Sequence, residues 1–303
     1  MKYLIIAITL LSGSLWAQSS NTFDIPTSSS PAIGPSYSQL YCSGFVSKDA
    51  IPRTNFVLGS EESPHENRIP GRALMFLGGP GLAEGQRYSL LRHLEDPNHE
   101  DSSPEQRKKL ANLGAYYQEV GWVTVHSIKK GAAIASFDFS CDPALSGDIV
   151  VPYTEKPKIA FRTIDPPIDS FHPALAEVKG HILGAQDFVA LLGTGIIVYT
   201  DFGEAKGAKP GDYLVVLRGY APGDLNRIDR ASEQLPRGAE TEATAVKSAK
   251  IDSHSDDRLP PHVLGEILLL NVSRDSSTAI ITRSFAEMEL GDVVQSEAPQ
   301  TAR

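Results

Sequence analysis

Short apolar runs bounded by glycine, aspartate or proline recur along this chain of 303 residues. Residues 196–199, 213–217 and 267–270 are examples, and β-branched or aliphatic side chains dominate each of them. Runs of this length and composition are typical of strands, whereas helices need longer periodic segments. The pattern therefore predicts an all-β protein.

One stretch of this pattern is present twice. Residues 119–150 align without a gap onto residues 263–294, and the match places Gly121 on Gly265. Most of the aligned strand positions keep their apolar character. Such internal similarity indicates a duplicated structural unit.

Two shorter blocks recur in the same order. Residues 41–46 match residues 177–182 as a short strand with a central glycine, and residues 81–92 match residues 207–218 as a double-glycine loop that leads into a strand. Unrelated β-rich stretches also share glycine turns and alternating apolar residues, which is the alternative explanation. The common order of the three blocks favours duplication.

Each module predicts about five or six strands, which fits a small antiparallel β-barrel or a sandwich. The expected order along the chain is signal peptide 1–17, disordered leader 18–36, β-module 37–152, proline-rich linker 153–175, β-module 176–296 and flexible tail 297–303. Proline density in the linker favours a semi-stiff, extended chain.

Both modules contain a long insertion at an equivalent place, after the strand that follows the double-glycine loop. In the first, Ser103 and Pro104 offer an N-cap and a first helical residue, and Gln106 completes a capping box. One short helix is therefore expected there, through about Asn112. The second insertion, residues 219–261, is polar and is expected to be mostly flexible.

The first residues have the layout of a secretory signal peptide. Lys2 precedes an apolar run at residues 3–11, and mostly small residues lead to Ala17. The alternative is a membrane anchor, but the run is much shorter than the roughly 20 residues that a spanning helix requires. We expect export to the periplasm or the medium, with no membrane insertion after cleavage.

The formal net charge is −9, and the charges are scattered along the chain. Nucleic acids and anionic membrane surfaces bind clustered cations, so both are poor candidates as partners.

The chain has two cysteines, Cys42 and Cys141, and export to an oxidising compartment predicts a disulfide between them. Their counterparts in the second module are Val178 and Phe285, so we expect a buried apolar contact where the first module has the bridge. The alternatives are two free thiols or a redox pair, although no CxxC spacing is present.

No catalytic, cofactor or metal site is predicted. The glycine-rich loop at residues 78–85 lacks the Lys-Ser/Thr pair of a phosphate-binding loop and is expected to form a hairpin turn. Four candidate metal ligands lie close together at the end of the polar insertion and just after it: His254, Asp256, Asp257 and His262. A solvated acidic loop is expected there instead of a metal site.

The remaining polar candidates are expected to be structural. No Gly-x-Ser-x-Gly motif and no histidine anchored beside a carboxylate is evident, so His126 and His181 are expected to pack or to line a rim. Trp122 is expected to pack, although a tryptophan at a strand edge also anchors glycan or protein partners. Asp148 and Asp292 follow glycines and are expected to cap turns.

The block LGEILLLNVSRDSSTAIITRSFAEMELGDVV, with the preceding GDYLVVLR strand and double-glycine loop, resembles a small β-module of bacterial envelope proteins. That module commonly follows LysM domains and is similar to the C-terminal domain of the flagellar assembly protein T family. The resemblance covers residues 177–295 and extends to residues 41–151 through the duplication. It implies an interaction or assembly unit.

These observations predict an exported, non-catalytic structural or binding component of the bacterial cell envelope, whose partner is an envelope protein or a cell-wall polymer. The two insertions are the candidate contact loops. The rival is a secreted hydrolase with a carboxylate-lined cleft between the modules, and a purely mechanical spacer is a third possibility.

Overall fold

The computed structural model describes residues 34–62, 68–71, 73–95, 108, 114–163, 167–170, 175–189, 191–219 and 260–297. These residues contain a short helix, α1 Tyr37–Tyr41, and thirteen strands: β1 Phe45–Ser47, β2 Phe56–Ser60, β3 Met75–Gly78, β4 Arg87–Leu94, β5 Ala115–Lys129, β6 Ala132–Ser140, β7 Ile149–Pro152, β8 Leu175–Ala185, β9 Ile197–Thr200, β10 Tyr213–Arg218, β11 His262–Val272, β12 Ser277–Ser284 and β13 Val293–Glu297. The all-β prediction is confirmed.

The helix α1 was not predicted, and it is separate from the helix expected in the first insertion. Ser36 caps α1 and forms a capping box with Gln39, at a position where the sequence analysis expected the leader to end. Lys108 is helical, in agreement with the helix expected at residues 103–112, whose other residues lie outside the described ones, as do the signal peptide, most of the leader and most of the tail. Within the described parts of the chain, no helix has the length and apolar character to cross a membrane.

The second module is a closed antiparallel barrel of six strands, in the order β10-β11-β12-β9-β8-β13. The first module has the same cyclic order. Its pairings run β4-β5-β6-β3-β2-β7 and return from β7 to β4. Both modules are therefore barrels rather than sandwiches, and β1 is an extra strand that pairs with the start of β5.

Irregular features recur at the aligned positions of the two barrels. The bulge between Trp122 and Val123 in β5 has its counterpart between Glu266 and Ile267 in β11. Bulges also match in β4 and β10. Because bulges fix the register and bend of a strand, this agreement confirms the two longer repeated blocks.

The predicted match between residues 41–46 and residues 177–182 is wrong. Ile182 in β8 donates its backbone N–H to Asp292 O, and the residue that makes the matching bond to Asp148 O is Val57 in β2. Thus β8 corresponds to β2, and no strand in the described part of the second module corresponds to β1. Residues 41–46 and 177–182 share only the pattern of a short strand with a central glycine, which does not specify a place in a barrel.

Apolar side chains fill both barrel interiors. Fully buried residues in the first include Met75, Leu77, Leu90, Val123 and Val125. The second is filled by residues of the same kind, including Leu214, Val216, Ile267, Leu269 and Ile281. Small barrels of this kind have a packed core instead of a lumen.

A third apolar cluster lies between the barrels. Val46 and Tyr116 of the first module pack with outward-facing residues of the second, among them Leu183, Tyr199 and Leu268. Ile159 and Phe161 of the linker pack against the same cluster. The modules are therefore joined by a hydrophobic interface and not only by the chain between them.

Candidate functional site

Residues 42–46, which we call the junction segment, connect the two barrels through their backbone. Each of four carbonyl oxygens in this segment accepts a hydrogen bond from a side chain of the second barrel. The bonds are Gln186 Nε2 to Cys42 O (3.0 Å), Tyr199 Oη to Ser43 O (2.9 Å), Thr278 Oγ1 to Gly44 O (2.9 Å) and Ser276 Oγ to Val46 O (2.8 Å). The junction segment thus belongs to the first module by sequence and is held by the second.

The disulfide fixes the junction segment to the first barrel. Cys42 begins the segment and is bonded to Cys141, just after β6, with a Cα–Cα distance of 5.6 Å. The predicted disulfide is confirmed. Closing a loop across 99 residues is worth about 4–5 kcal/mol in the chain-entropy model.

The expected apolar counterpart of the disulfide is absent. Val178 is 45% exposed and Phe285 is 56% exposed, so they do not form a buried contact. Phe285 is the true counterpart of Cys141, because its N–H bonds to Leu264 O as that of Cys141 bonds to Val120 O. The prediction failed because Cys42, the partner of Cys141, lies in a segment that has no counterpart among the described residues of the second module.

Two glycines allow the barrels to approach at the junction. Gly44 has φ +66°, and a Cβ there would lie 2.7 Å from Tyr117 O and 2.9 Å from Tyr199 Oη. A Cβ on Gly184 of β8 would lie 2.4 Å from Tyr116 Oη. Side chains at either position would therefore separate the two modules.

The linker is attached to one carboxylate of each barrel, a largely buried one in the first and a fully buried one in the second. Lys156 Nζ lies 2.6 Å from Glu119 Oε1 of β5, and Arg162 pairs with Glu266 of β11. Burial raises the pKa of both glutamates, although the neighbouring cations act in the opposite direction. Arg162 also lies 4.1 Å from the Tyr213 ring centre. The described part of the linker thus follows the surface of both barrels.

A polar groove lies along the line where the barrels meet. Its walls are residues 46–49 of the first module and residues 273–276 in the β11–β12 turn, and its volume is about 320 Å³. Two cations and two carboxylates line it: Lys48, Arg274, Asp49 and Asp275. A second depression between the barrels, beside Tyr116 and Phe188, holds about 20 Å³, which is room for about one water molecule.

A repeated arginine–aspartate clamp was missed by the sequence analysis. Arg92 Nε and Nη2 donate to the two carboxylate oxygens of Asp148 at 2.9 and 2.8 Å. Arg218 makes the same bidentate contact with Asp292 at 2.8 and 2.9 Å. Both aspartates also accept a backbone N–H as predicted turn caps. The signal was available, because both members of each pair fall in the two repeated blocks that the structure confirms.

One histidine is anchored beside a carboxylate, contrary to the sequence analysis. Asp201 Oδ1 accepts the backbone N–H of His181 at 2.6 Å, and Oδ2 lies 3.4 Å from His181 Nδ1. Burial tends to raise the pKa of Asp201, but His181 and Lys206 outweigh it and lower the pKa. Lys206 Nζ lies 3.3 Å from Asp201 Oδ1, so this carboxylate joins β8 to the β9–β10 connection.

The other histidine candidates remain dispersed. His126 Nε2 lies 2.7 Å from Ser136 Oγ on the exposed side of the β5–β6 pair. His262 begins β11, whereas His254, Asp256 and Asp257 lie outside the described residues. In the described ranges, no group of three or more His, Cys, Asp or Glu residues is placed to hold a metal ion.

Trp122 packs as predicted. It is 6% exposed and stacks on Phe139 with ring centres 4.6 Å apart. Tyr41 of α1 lies against the same indole at 4.9 Å. The cluster thus holds α1 on the first barrel.

The glycine-rich loop at residues 78–85 is not a hairpin. It joins β3 to β4, which pair with other strands and not with each other. Gly81 and Gly85 adopt φ of +85° and +74°, so glycine supplies left-handed conformations in a connection between non-adjacent strands.

Comparison of the chain with protein-family models and with curated protein sequences gives no match.

Proposed function

We propose that the protein is an exported, non-catalytic component of the bacterial cell envelope that binds an envelope protein or a cell-wall polymer. The observation that supports this most directly is the fusion of two filled barrels. Such a body has no lumen for a substrate in its described residues, and it presents surface connections from a rigid support.

The two long connections occupy the same topological position. One joins β4 to β5 and the other joins β10 to β11, which are corresponding strand pairs in the two barrels. The Arg–Asp clamps lie at the bases of these connections, since Arg92 and Arg218 are near the ends of β4 and β10. Loops that extend from rigid scaffolds are frequent sites of recognition.

The test is in vivo crosslinking and co-purification of the full chain from fractionated cells. A chain lacking residues 225–257 is compared with one in which the same stretch is replaced by a glycine–serine sequence of equal length. We expect the wild-type chain in the envelope fraction, cleaved after Ala17, with a partner that both variants lose. A cytoplasmic, uncleaved chain, or capture that is unchanged in both variants, contradicts the proposal.

One observation favours the rival hydrolase. The groove between the barrels contains two carboxylates, Asp49 and Asp275, one from each module. Their lining is polar apart from Val46, whereas a general acid that works near neutral pH needs apolar surroundings. Release of soluble fragments from cell-wall material by the wild-type chain, with loss of that release in Asp49→Asn and Asp275→Asn, would establish the hydrolase instead.

A further inference from the structure

The groove exists only because the two barrels are joined. Residues 46–49 follow the junction segment and form one wall, and the turn between β11 and β12 forms the other. Ser276 Oγ donates to Val46 O at 2.8 Å and closes the bottom of the groove with a buried hydrogen bond. Its volume of about 320 Å³ lies within the range of small-ligand sites.

The wall from the second barrel is held in position by backbone bonds. Ser273 N donates to Ser276 O at 2.8 Å within the turn, and two amides of the β9–β10 connection donate to the turn from behind. These are Glu204 N to Ser273 O and Ala205 N to Arg274 O, both at 2.9 Å. The backbone of this turn is therefore already ordered before a ligand binds, which lowers the entropic cost of binding.

The wall from the first barrel is ordered in a similar way. Ser47 pairs with Ala115 at the end of β1, and its Oγ donates to Asp49 O at 2.9 Å. Gly114 packs against this backbone so closely that a Cβ would lie 1.9 Å from Ser47 O. Lys48 and Asp49 therefore extend from a fixed turn.

The charges of the groove are balanced but not paired. Among the residues that the structure describes, neither Lys48 nor Arg274 has an ion-pair partner, and the same is true of Asp49 and Asp275. Other cations at the junction are paired, as Lys156 is with Glu119. Four charges, two of each sign, thus remain available to a ligand.

The corresponding turn of the first barrel differs both in charge and in backbone conformation, because Lys130 and Gly131 have φ of +49° and +84° whereas Arg274 and Asp275 have no positive φ. The turn between β5 and β6 corresponds to the turn of the groove, and there Lys130 stands for Arg274 and Gly131 for Asp275. The cation is kept in both turns, whereas the carboxylate occurs only in the copy that lines the groove.

We propose that this groove binds a small zwitterion, namely an amino acid or a short peptide with a free ammonium and a free carboxylate. The ligand carboxylate pairs with Lys48 and Arg274, and the ammonium pairs with Asp49 and Asp275. Ser47 and Ser276 already donate their hydroxyls to backbone carbonyls, so Ser273 is the lining serine left to donate to a peptide group. The single apolar lining residue, Val46, offers little to a large apolar side chain. The inference deepens the proposed binding function by naming a ligand class.

Both signs of charge are needed for this assignment. A simple anion would be repelled by the two carboxylates, and a simple cation by Lys48 and Arg274. A ligand with separated opposite charges satisfies both sets, and charge-assisted hydrogen bonds are the strongest polar contacts available to it.

The experiment titrates glycine, diglycine and tetraglycine into the full chain after signal removal, followed by NMR of labelled backbone amides. Tetraglycine that is N-acetylated and C-amidated is the uncharged comparison. We expect saturable shifts in residues 46–49 and 273–276 with at least one free peptide, and weakening of about tenfold or more with the capped form.

Variants identify the contacts. Arg274→Gln and Asp275→Asn are each expected to weaken binding about tenfold. Lys130→Gln, which changes the exposed counterpart in the other barrel, is expected to leave it unchanged. Absence of saturable shifts with all three probes, equal binding of the capped peptide, or equal effects of Lys130→Gln and Arg274→Gln would each overturn the proposal.

Failure here is distinguishable from failure of the proposed function. A chain that captures its envelope partner but does not bind the peptides disproves only the groove assignment. Cleavage of tetraglycine during the titration would replace binding by hydrolysis, which contradicts both proposals.

Discussion

The space left by aromatic side chains decides which residues the junction tolerates. Gly184 has no positive φ, so its backbone conformation is open to any residue, and only the approach of Tyr116 excludes a side chain. Gly44 is restricted twice, by its φ of +66° and by the Tyr199 hydroxyl. Gly44 and Gly184 therefore set the distance between the barrels, although the sequence does not distinguish them from other glycines.

Replacing Gly184 by alanine is expected to lower the free energy of unfolding by about 1–3 kcal/mol, because the new methyl group overlaps the Tyr116 ring. Gly193→Ala is the matched control, since a Cβ there has nothing within 4 Å. Chemical denaturation measures both.

The cause of this loss is tested by a double-mutant cycle. Because Tyr116 Oη is the nearest atom to the new methyl group, adding Gly184→Ala to a Tyr116→Phe protein should cost less than adding it to the wild type. Equal losses from Gly184→Ala and Gly193→Ala would show that the contact is unimportant.

The Arg–Asp clamp connects elements that are far apart along each module. Arg92 lies near the end of β4 and Asp148 lies just before β7, and the guanidinium also donates to Pro143 O at 2.8 Å. The Arg92 side chain thus hydrogen-bonds a carbonyl in the turn after β6 and also connects β4 to the start of β7 at the base of the insertion. The bidentate geometry is the reason that arginine suits this position.

Asp148→Asn and Asp292→Asn are expected to destabilise the protein by similar amounts, about 3 kcal/mol each, because each leaves a partly buried guanidinium without its carboxylate. The comparison variant is Asp142→Asn. Asp142 Oδ2 also lies 2.8 Å from Arg92, but this carboxylate is 40% exposed and its counterpart is Ala286.

Asp142 is more exposed than Asp148, so solvent screens its attraction to Arg92 more strongly, and Asp142→Asn should have the smallest effect. Urea denaturation followed by circular dichroism gives the three values. If either Asp148→Asn or Asp292→Asn is silent, the clamp is not a shared structural device of the two barrels.

The two barrels form one body because their junction combines three kinds of contact. An apolar cluster joins Tyr116 to Leu268, side chains of the second barrel satisfy the carbonyls of the junction segment, and the linker pairs with a glutamate of each barrel. The disulfide at Cys42 then transmits this attachment to the first barrel. Opening the junction would expose apolar surface and buried carbonyl groups at the same time.

Thermal unfolding is therefore expected to occur in one transition, with equal calorimetric and van't Hoff enthalpies. Leu268→Asp places a charge in the junction while the inward-facing neighbours Ile267 and Leu269 remain. We expect this variant to show two transitions, one for each barrel. Differential scanning calorimetry distinguishes the outcomes, and two transitions in the wild-type protein would mean that the modules are independent.

The sequence predicted features that depend on local patterns. Strands followed from apolar runs, and two repeated blocks followed from glycine spacing, because a bulge or a left-handed turn needs glycine at a fixed place. The disulfide followed from compartment and cysteine number. The assignment of residues 41–46 failed because glycine also occurs in β2 and β8, whereas in residues 41–46 it lies just before β1.

The junction had no local signal. Thr278 Oγ1 and Gly44 O are separated by 234 residues, and serine or threonine in a strand does not indicate which carbonyl it will reach. The groove has the same origin, since Lys48 and Asp275 are ordinary turn residues until two barrels place them in opposite walls. Side-chain hydrogen bonds across an interface depend on packing, which no short stretch of sequence encodes.

By itself, the sequence determined the all-β class, the duplicated module and the disulfide, because strand periodicity, glycine conformation and cysteine pairing are properties of single segments or single pairs. Only the tertiary structure decided that each module closes into a barrel, that β1 belongs to the junction and that charged turns form a groove. These features arise where segments that are distant in the sequence become complementary surfaces. The free energy that stabilises the joined barrels comes from burying both surfaces together.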